Sequence, residues 1–79
     1  MQKGTAMSNA YWIKYKMHQH GEEKGTAVLA RNKADAYDKA VYEAIPKAEG
    51  TIPYSAWVDN VTYQNGNVRR FNTSEGNPY

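Results

Sequence analysis

The chain has 79 residues, of which 41% are hydrophobic and 23% charged, and its formal net charge is +2 at pH 7. This composition is typical of one small globular domain and excludes a disordered chain. The weak positive charge permits an acidic partner but does not require one.

The chain contains no cysteine, which excludes disulfides and a thiol nucleophile and favours a cytoplasmic protein. No apolar run approaches the roughly 20 residues that cross a bilayer. The first ten residues lack the apolar segment of a secretory signal. We therefore expect no membrane association, and we predict a flexible segment at residues 1–10, one domain at residues 11–73 and a flexible tail at residues 74–79.

Alternating apolar and polar residues predict a half-buried strand over residues 11–18. Residues 19–25 contain two glycines and two glutamates and predict a hairpin loop. A second strand is predicted over residues 26–31, with Val28 and Ala30 towards the core. In the first strand, the core-facing set is Tyr11, Ile13, Tyr15 and Met17, and the opposite set is Trp12, Lys14, Lys16 and His18.

A helix is predicted over residues 33–45. Asn32 is a suitable N-cap, and Asp35 complements the positive end of the helix. Pro46 disfavours the helical conformation of the residue before it, so the helix is expected to end there. The apolar residues that recur at helical spacing are Ala34, Tyr37, Ala40, Val41, Ala44 and Ile45.

A third strand is predicted over residues 54–64, after a loop over residues 47–53. Its alternation changes phase near Asp59 and Asn60, which a β-bulge would explain. Asn65-Gly66 predicts a type I′ turn before a last strand over residues 67–72. Two registers remain open: one pairs Tyr63 with Val68, and the other pairs Val61 with Phe71.

This order of elements predicts an α+β fold of the ββαββ type. The simplest packing is one four-stranded antiparallel sheet with the helix across one face. If the helix carries the chain back over the sheet, the third strand lies beside the first. The predicted strand order is therefore 2-1-3-4, with the second face of the sheet open to solvent.

No catalytic, metal or cofactor site is expected. His18 and His20 form a His-x-His pair followed by Glu22 and Glu23, but two histidines in a loop fall short of the three or four protein ligands that zinc takes. The chain has no nucleophile elbow and no phosphate-binding glycine loop. We therefore expect a protein that is not an enzyme.

The open sheet face is the candidate binding surface. An aromatic ring beside basic groups can stack bases and hold phosphates, which makes nucleic acid one possible partner. One helix cannot cover every aromatic residue, and exposed aromatics beside arginine mark protein interfaces. The predicted partner-binding residues are Trp12, Lys14, Lys16, His18, Trp57, Arg69 and Arg70.

The run Thr26-Ala27-Val28-Leu29-Ala30-Arg31-Asn32 leads directly into Lys33-Ala34-Asp35-Ala36-Tyr37 and then a strand rich in Tyr and Trp. Over residues 11–73 this plan resembles small phage- or prophage-encoded proteins, some of which inhibit a host RNA polymerase or CRISPR complex by docking on it. The likeness is one of plan, so no functional residue carries over. It implies a binding protein without a cofactor, with a protein partner favoured and nucleic acid as the alternative.

Overall fold

A computed structural model describes residues 8–71 of the chain. The strands are β1 (Asn9–Lys16), β2 (Lys24–Ala30), β3 (Ser55–Thr62) and β4 (Val68–Arg70). Between β2 and β3 a continuous helix has three segments: α1 (Lys33–Lys39), a π-helical turn (Ala40–Ala44) and α2 (Ile45–Glu49). The predictions for residues 1–7 and 72–79 lie outside the described residues.

The predicted sheet is confirmed. Its four strands are antiparallel and lie in the order β2-β1-β3-β4. The helix covers one face, where Ile13, Val58 and Val61 are fully buried against Ala36 and Ile45. The alternation in β1 is also confirmed, because Tyr11, Ile13 and Tyr15 are buried and Trp12 is exposed. The strand itself begins two residues earlier than predicted, at Asn9.

The start of the helix is confirmed and its predicted end is wrong. The Asn32 Oδ1 accepts a hydrogen bond of 2.8 Å from the amide of Asp35. The helix continues past Pro46 to Glu49 and ends at Gly50, which has φ +93°. Pro46 lies in the first turn of α2, where a missing amide hydrogen is tolerated.

The π-helical turn explains how the helix passes Pro46. The amide of Ile45 donates to the carbonyl of Ala40, five residues back instead of four. Ile45 keeps its predicted place in the buried stripe and is 1% exposed. Two other assignments in the predicted stripe are wrong, because Ala34 is exposed and Ala36 is buried.

The predicted bulge in β3 is confirmed. Ile13 pairs with Val58 and Trp12 pairs with Asn60, so Asp59 is the additional residue. The change in phase lets Val58 and Val61 both face the helix, although three positions separate them.

Neither predicted register of the last hairpin is right, because Val61 pairs with Arg69. The amide of Gly66 donates to the carbonyl of Tyr63 at 2.9 Å, and the amide of Tyr63 donates to the carbonyl of Asn67 at 2.8 Å. Gly66 has φ +92°, and within residues 8–71 no residue other than glycine has a positive φ. The loop is therefore a three-residue connection over residues 64–66, and a type I′ turn is excluded.

Candidate binding surface on the open sheet face

The strand registers place the side chains of the open face in rows across the sheet. The first row is uncharged, the second has one charge at its end, and the third has a lysine at its centre. In order from β2, the rows are Leu29, Ala10, Thr62 and Val68; Ala27, Trp12, Asn60 and Arg70; and Gly25, Lys14 and Trp57.

Trp12 lies across the backbone of Gly25 in the neighbouring strand. A methyl group placed on Gly25 would lie 2.2 Å from the Cζ2 atom and 2.6 Å from the Cε2 atom of Trp12. Only glycine leaves room for the indole ring in this position. The ring is thus supported on one side by the sheet while 37% of the residue stays exposed.

A depression of about 330 Å³ lies beside Trp12 and is lined by Ala10, Tyr11, Trp12, Ala27, Asn60 and Thr62. We call it the open-face groove. None of its lining side chains carries a charge at neutral pH. Leu29 and Val68 belong to the first row and are 60% and 59% exposed, so apolar surface continues on both sides of the groove.

Two cations of this face, Lys14 and Arg70, are compensated by acidic groups. The Nζ of Lys14 lies 2.8 Å from the carboxylate of Glu23 and 4.0 Å from that of Asp59. The hydrogen bond to Glu23, followed by the charge of Asp59, raises the pKa of Lys14. The guanidinium of Arg70 lies 3.4 Å from the carboxylate of Asp59. The charged half of the face therefore carries both signs.

The structure brings some of the predicted partner-binding residues together. Trp12 and Lys14 lie on the open face, as does Lys16 at the end of β1. Arg70 lies there too, opposite Asn60. His18 follows β1 in the loop and is exposed.

Two of the predicted residues do not belong to an accessible part of this face. Arg69 lies on the helix side of the sheet, with its guanidinium 5.3 Å from the centre of the Phe71 ring. Trp57 lies on the open face by its register but is only 6% exposed. The alternation of β4 separates the two arginines, since neighbouring residues of a strand point to opposite faces.

Most of the groove could not be predicted from the sequence. The alternating pattern leaves Ala10 in the N-terminal segment, and it does not single out Thr62 or Val68 as binding residues. Leu29 could have been found, because placing Val28 and Ala30 towards the core leaves Leu29 exposed on the other side of β2.

A second polar cluster joins the end of the helix to the sheet. The Tyr15 hydroxyl donates to a carboxylate oxygen of Glu49 at 2.9 Å, and the Nζ of Lys24 donates to the same oxygen at 3.0 Å. The hydrogen bonds from Lys24 and then Tyr15 lower the pKa of Glu49. These hydrogen bonds hold the end of the helix against the sheet, and this structural role accounts for the cluster.

His18, Glu22 and Glu49 line one further depression, of about 330 Å³, together with Lys24. Within residues 8–71, no three histidine or acidic side chains are grouped closely enough to hold a metal ion.

No helix in the described part of the chain is long and apolar enough to cross a membrane. The chain matches no protein-family model, no curated protein and no solved structure. Functional inference therefore depends on the surface itself.

Proposed function

We propose that this chain is a non-enzymatic binding protein that docks on a protein partner through the open-face groove. The observation that carries the proposal is an uncharged depression beside a half-exposed tryptophan, with exposed Leu29 and Val68 on either side. Tryptophan supplies a large contact area with few rotatable bonds to immobilise, and it is enriched among the residues that dominate binding energy.

The distribution of charge favours a protein over nucleic acid. A nucleic-acid surface gains its affinity from cations that contact phosphates. Here Lys14 and Arg70 already contact Glu23 and Asp59, and an uncharged row borders the groove. Trp57, which would be the second stacking platform, is buried.

A cytoplasmic, host-targeting role as a mobile-element-encoded inhibitor is part of the proposal. It is supported by the likeness in plan to phage-encoded proteins and by a surface suited to docking without chemistry. In this role the protein would act stoichiometrically, by occupying a surface of its target.

The test is capture of a partner from a lysate of the source organism, with and without nuclease treatment, followed by measurement of affinity with the purified partner. We expect Trp12→Ala to weaken binding by about 2 kcal/mol, roughly thirtyfold, and Thr62→Arg to abolish it by placing a charge in the groove. Tyr42→Ala is the matched control, because Tyr42 is 65% exposed and lies on the helix. Circular dichroism should show an unchanged fold for all three.

The salt dependence of the affinity distinguishes the two classes of partner. A protein complex at an uncharged groove should lose little affinity between about 50 and 200 mM salt, whereas a nucleic-acid complex should lose a factor of 10³ or more if it makes about six phosphate contacts. A partner whose affinity is unchanged by Trp12→Ala and Thr62→Arg would overturn the proposal, as would one that is removed by nuclease.

A further inference from the structure

The outer edge of β2 presents backbone groups that pair with no other strand within residues 8–71. The amide of Tyr54 donates to the carbonyl of Lys16, so the even-numbered residues of β1 direct their backbone groups to β3. The odd-numbered residues of β1 therefore bond to β2, through Lys24, Thr26 and Val28. The amides and carbonyls of Gly25, Ala27 and Leu29 consequently point outwards.

Among the residues that the structure describes, no strand pairs with this edge. Lys39 contacts one of its outward backbone groups, because its Nζ donates to the carbonyl of Leu29 at 3.1 Å. Proteins usually protect such edges with charged residues, proline or a bulge. The opposite edge, β4, is three residues long and includes two arginines, whereas residues 25–30 of β2 contain neither charge nor proline.

The charges at the ends of β2 are arranged symmetrically about Ala27. Glu23 and Arg31 flank β2, four residues before and after Ala27. Both have odd numbers, like Gly25, Ala27 and Leu29, whose backbone groups point outwards. Both side chains are exposed. Within the described residues Glu23 has Lys14 as its ion-pair partner, and Arg31 has none.

We propose that β2 pairs antiparallel with β2 of a second copy of this chain, about a two-fold axis at Ala27. In that register Glu23 of each copy lies opposite Arg31 of the other, and oppositely charged cross-strand pairs are favourable. Lys24 lies opposite the uncharged Ala30. A two-fold antiparallel pairing exchanges about six backbone hydrogen bonds, two at each of the outward-facing pairs.

The same register matches the apolar side chains. Leu29, which is 60% exposed, lies opposite Gly25 of the second copy, where the ring of Trp12 covers the backbone. The ring fills the space that a side chain at Gly25 would take, so Leu29 of the second copy would pack against the ring of Trp12. The carbonyl of Leu29 has two lone pairs, so it can accept from the amide of Gly25 while it keeps the hydrogen bond from Lys39. The product is a continuous eight-stranded sheet with both grooves on one face.

Sedimentation velocity of the full chain tests the proposal without any other partner. A pairing limited to a strand edge buries less than a standard interface, so we expect monomer at about 1 µM and mostly dimer near 500 µM. Ala27→Pro should abolish the dimer. Its fold should persist, because the amide that proline removes points outwards from an edge strand.

Charge reversal tests the register. Arg31→Glu places two glutamates opposite each other and should weaken the dimer at least fivefold, while leaving the Lys14–Glu23 pair intact. In a Lys14→Gln background, which removes the cation beside position 23, the double variant Glu23→Arg/Arg31→Glu should restore the affinity to within about twofold. Asp38→Arg, on the exposed face of the helix, is the matched control and should leave it unchanged.

A chain that stays monomeric up to 1 mM would overturn the proposal, and so would a dimer that survives Ala27→Pro. A dimer that Arg31→Glu weakens but the double variant does not restore would overturn this register. None of these results depends on the partner-binding proposal, because they are obtained with the purified chain alone.

Discussion

Glu49 joins the last turn of the helix to two strands. Its carboxylate accepts from the hydroxyl of Tyr15 on β1 and from the Nζ of Lys24 on β2. Burial is the first cause that raises the pKa of Tyr15, and the hydrogen bond to Glu49 is the second. Hydrogen bonds to the charged carboxylate favour its ionised form, so this contact should make the stability of the fold depend on pH.

We predict that Glu49→Gln lowers the stability at pH 7 and has little effect near pH 3. The pKa of Glu49 is lower in the folded chain than in the unfolded one. Its contribution is therefore present at neutral pH and is lost as the pH falls below the ordinary pKa of glutamate and through the lowered pKa of Glu49. Urea unfolding at both pH values measures the effect. Tyr15→Phe is a control that removes one donor and keeps the charge, and an equal loss for Glu49→Gln at both pH values would contradict the prediction.

The helix is held by a narrow buried stripe that includes Val41, which is 6% exposed. We predict that Val41→Asp destabilises the domain by at least about 3 kcal/mol, because it buries an unpaired charge against the sheet. Tyr42→Asp changes the neighbouring residue, which is 65% exposed, and should have little effect. Thermal unfolding followed by circular dichroism compares the two, and similar losses would mean that the helix faces the sheet with a different side.

Lys39 makes contacts that support the fold, although it lies outside the apolar stripe of the helix. Its Nζ contacts the carbonyl of Leu29 at 3.1 Å and the carboxylate of Asp35 at 3.5 Å. The contact with Leu29 depends on how the helix lies along the edge of β2, so it could not be derived from helical spacing alone.

The last hairpin depends on the left-handed conformation of Gly66, which has φ +92°. We predict that Gly66→Val costs about 1 kcal/mol or more, because a β-branched residue resists this conformation. Gly66→Asn should cost less, since asparagine tolerates positive φ better. A Cβ added to Gly66 would meet no atom within 4 Å, so equal stabilities of the two variants would exclude backbone strain as the cause.

Among the helices and strands, the features that depend only on neighbouring residues could be predicted from the sequence. The alternation of β1, the capping by Asn32 and the phase change at Asp59 are encoded in neighbouring residues, and the structure confirms each. Pro46 was misjudged because its usual effect on the preceding residue is avoided by a π-helical turn. The hydrogen bond from Ile45 to Ala40 that defines this turn leaves no signature in the sequence pattern, because Val41 and Ile45 have the spacing of an ordinary helix face.

For the molecule as a whole, the strand order could be predicted from the order of the elements, because the helix crosses the sheet once and places β3 beside β1. The candidate site could be predicted only in part. Trp12 and Lys14 were identified from alternation, but the groove is formed by Ala10, Ala27 and Thr62 from three strands. Its composition depends on registers that span the chain, and the register of β4 also decides that Arg70, and not Arg69, lies on the open face.

The bulge at Asp59 also marks a position at which the chain can lose one residue and keep its sheet. Removing Asp59 would leave the pairs Ile13–Val58 and Trp12–Asn60 next to each other along a regular ladder. Deletion of the Asp59 codon would therefore convert the bulged sheet into a regular one, and every other residue would stay on its present face. It would remove the carboxylate that lies near both Lys14 and Arg70 and raise the formal net charge from +2 to +3. A difference of one amino acid in length would thus alter the electrostatic character of the open face while the core residues kept their places.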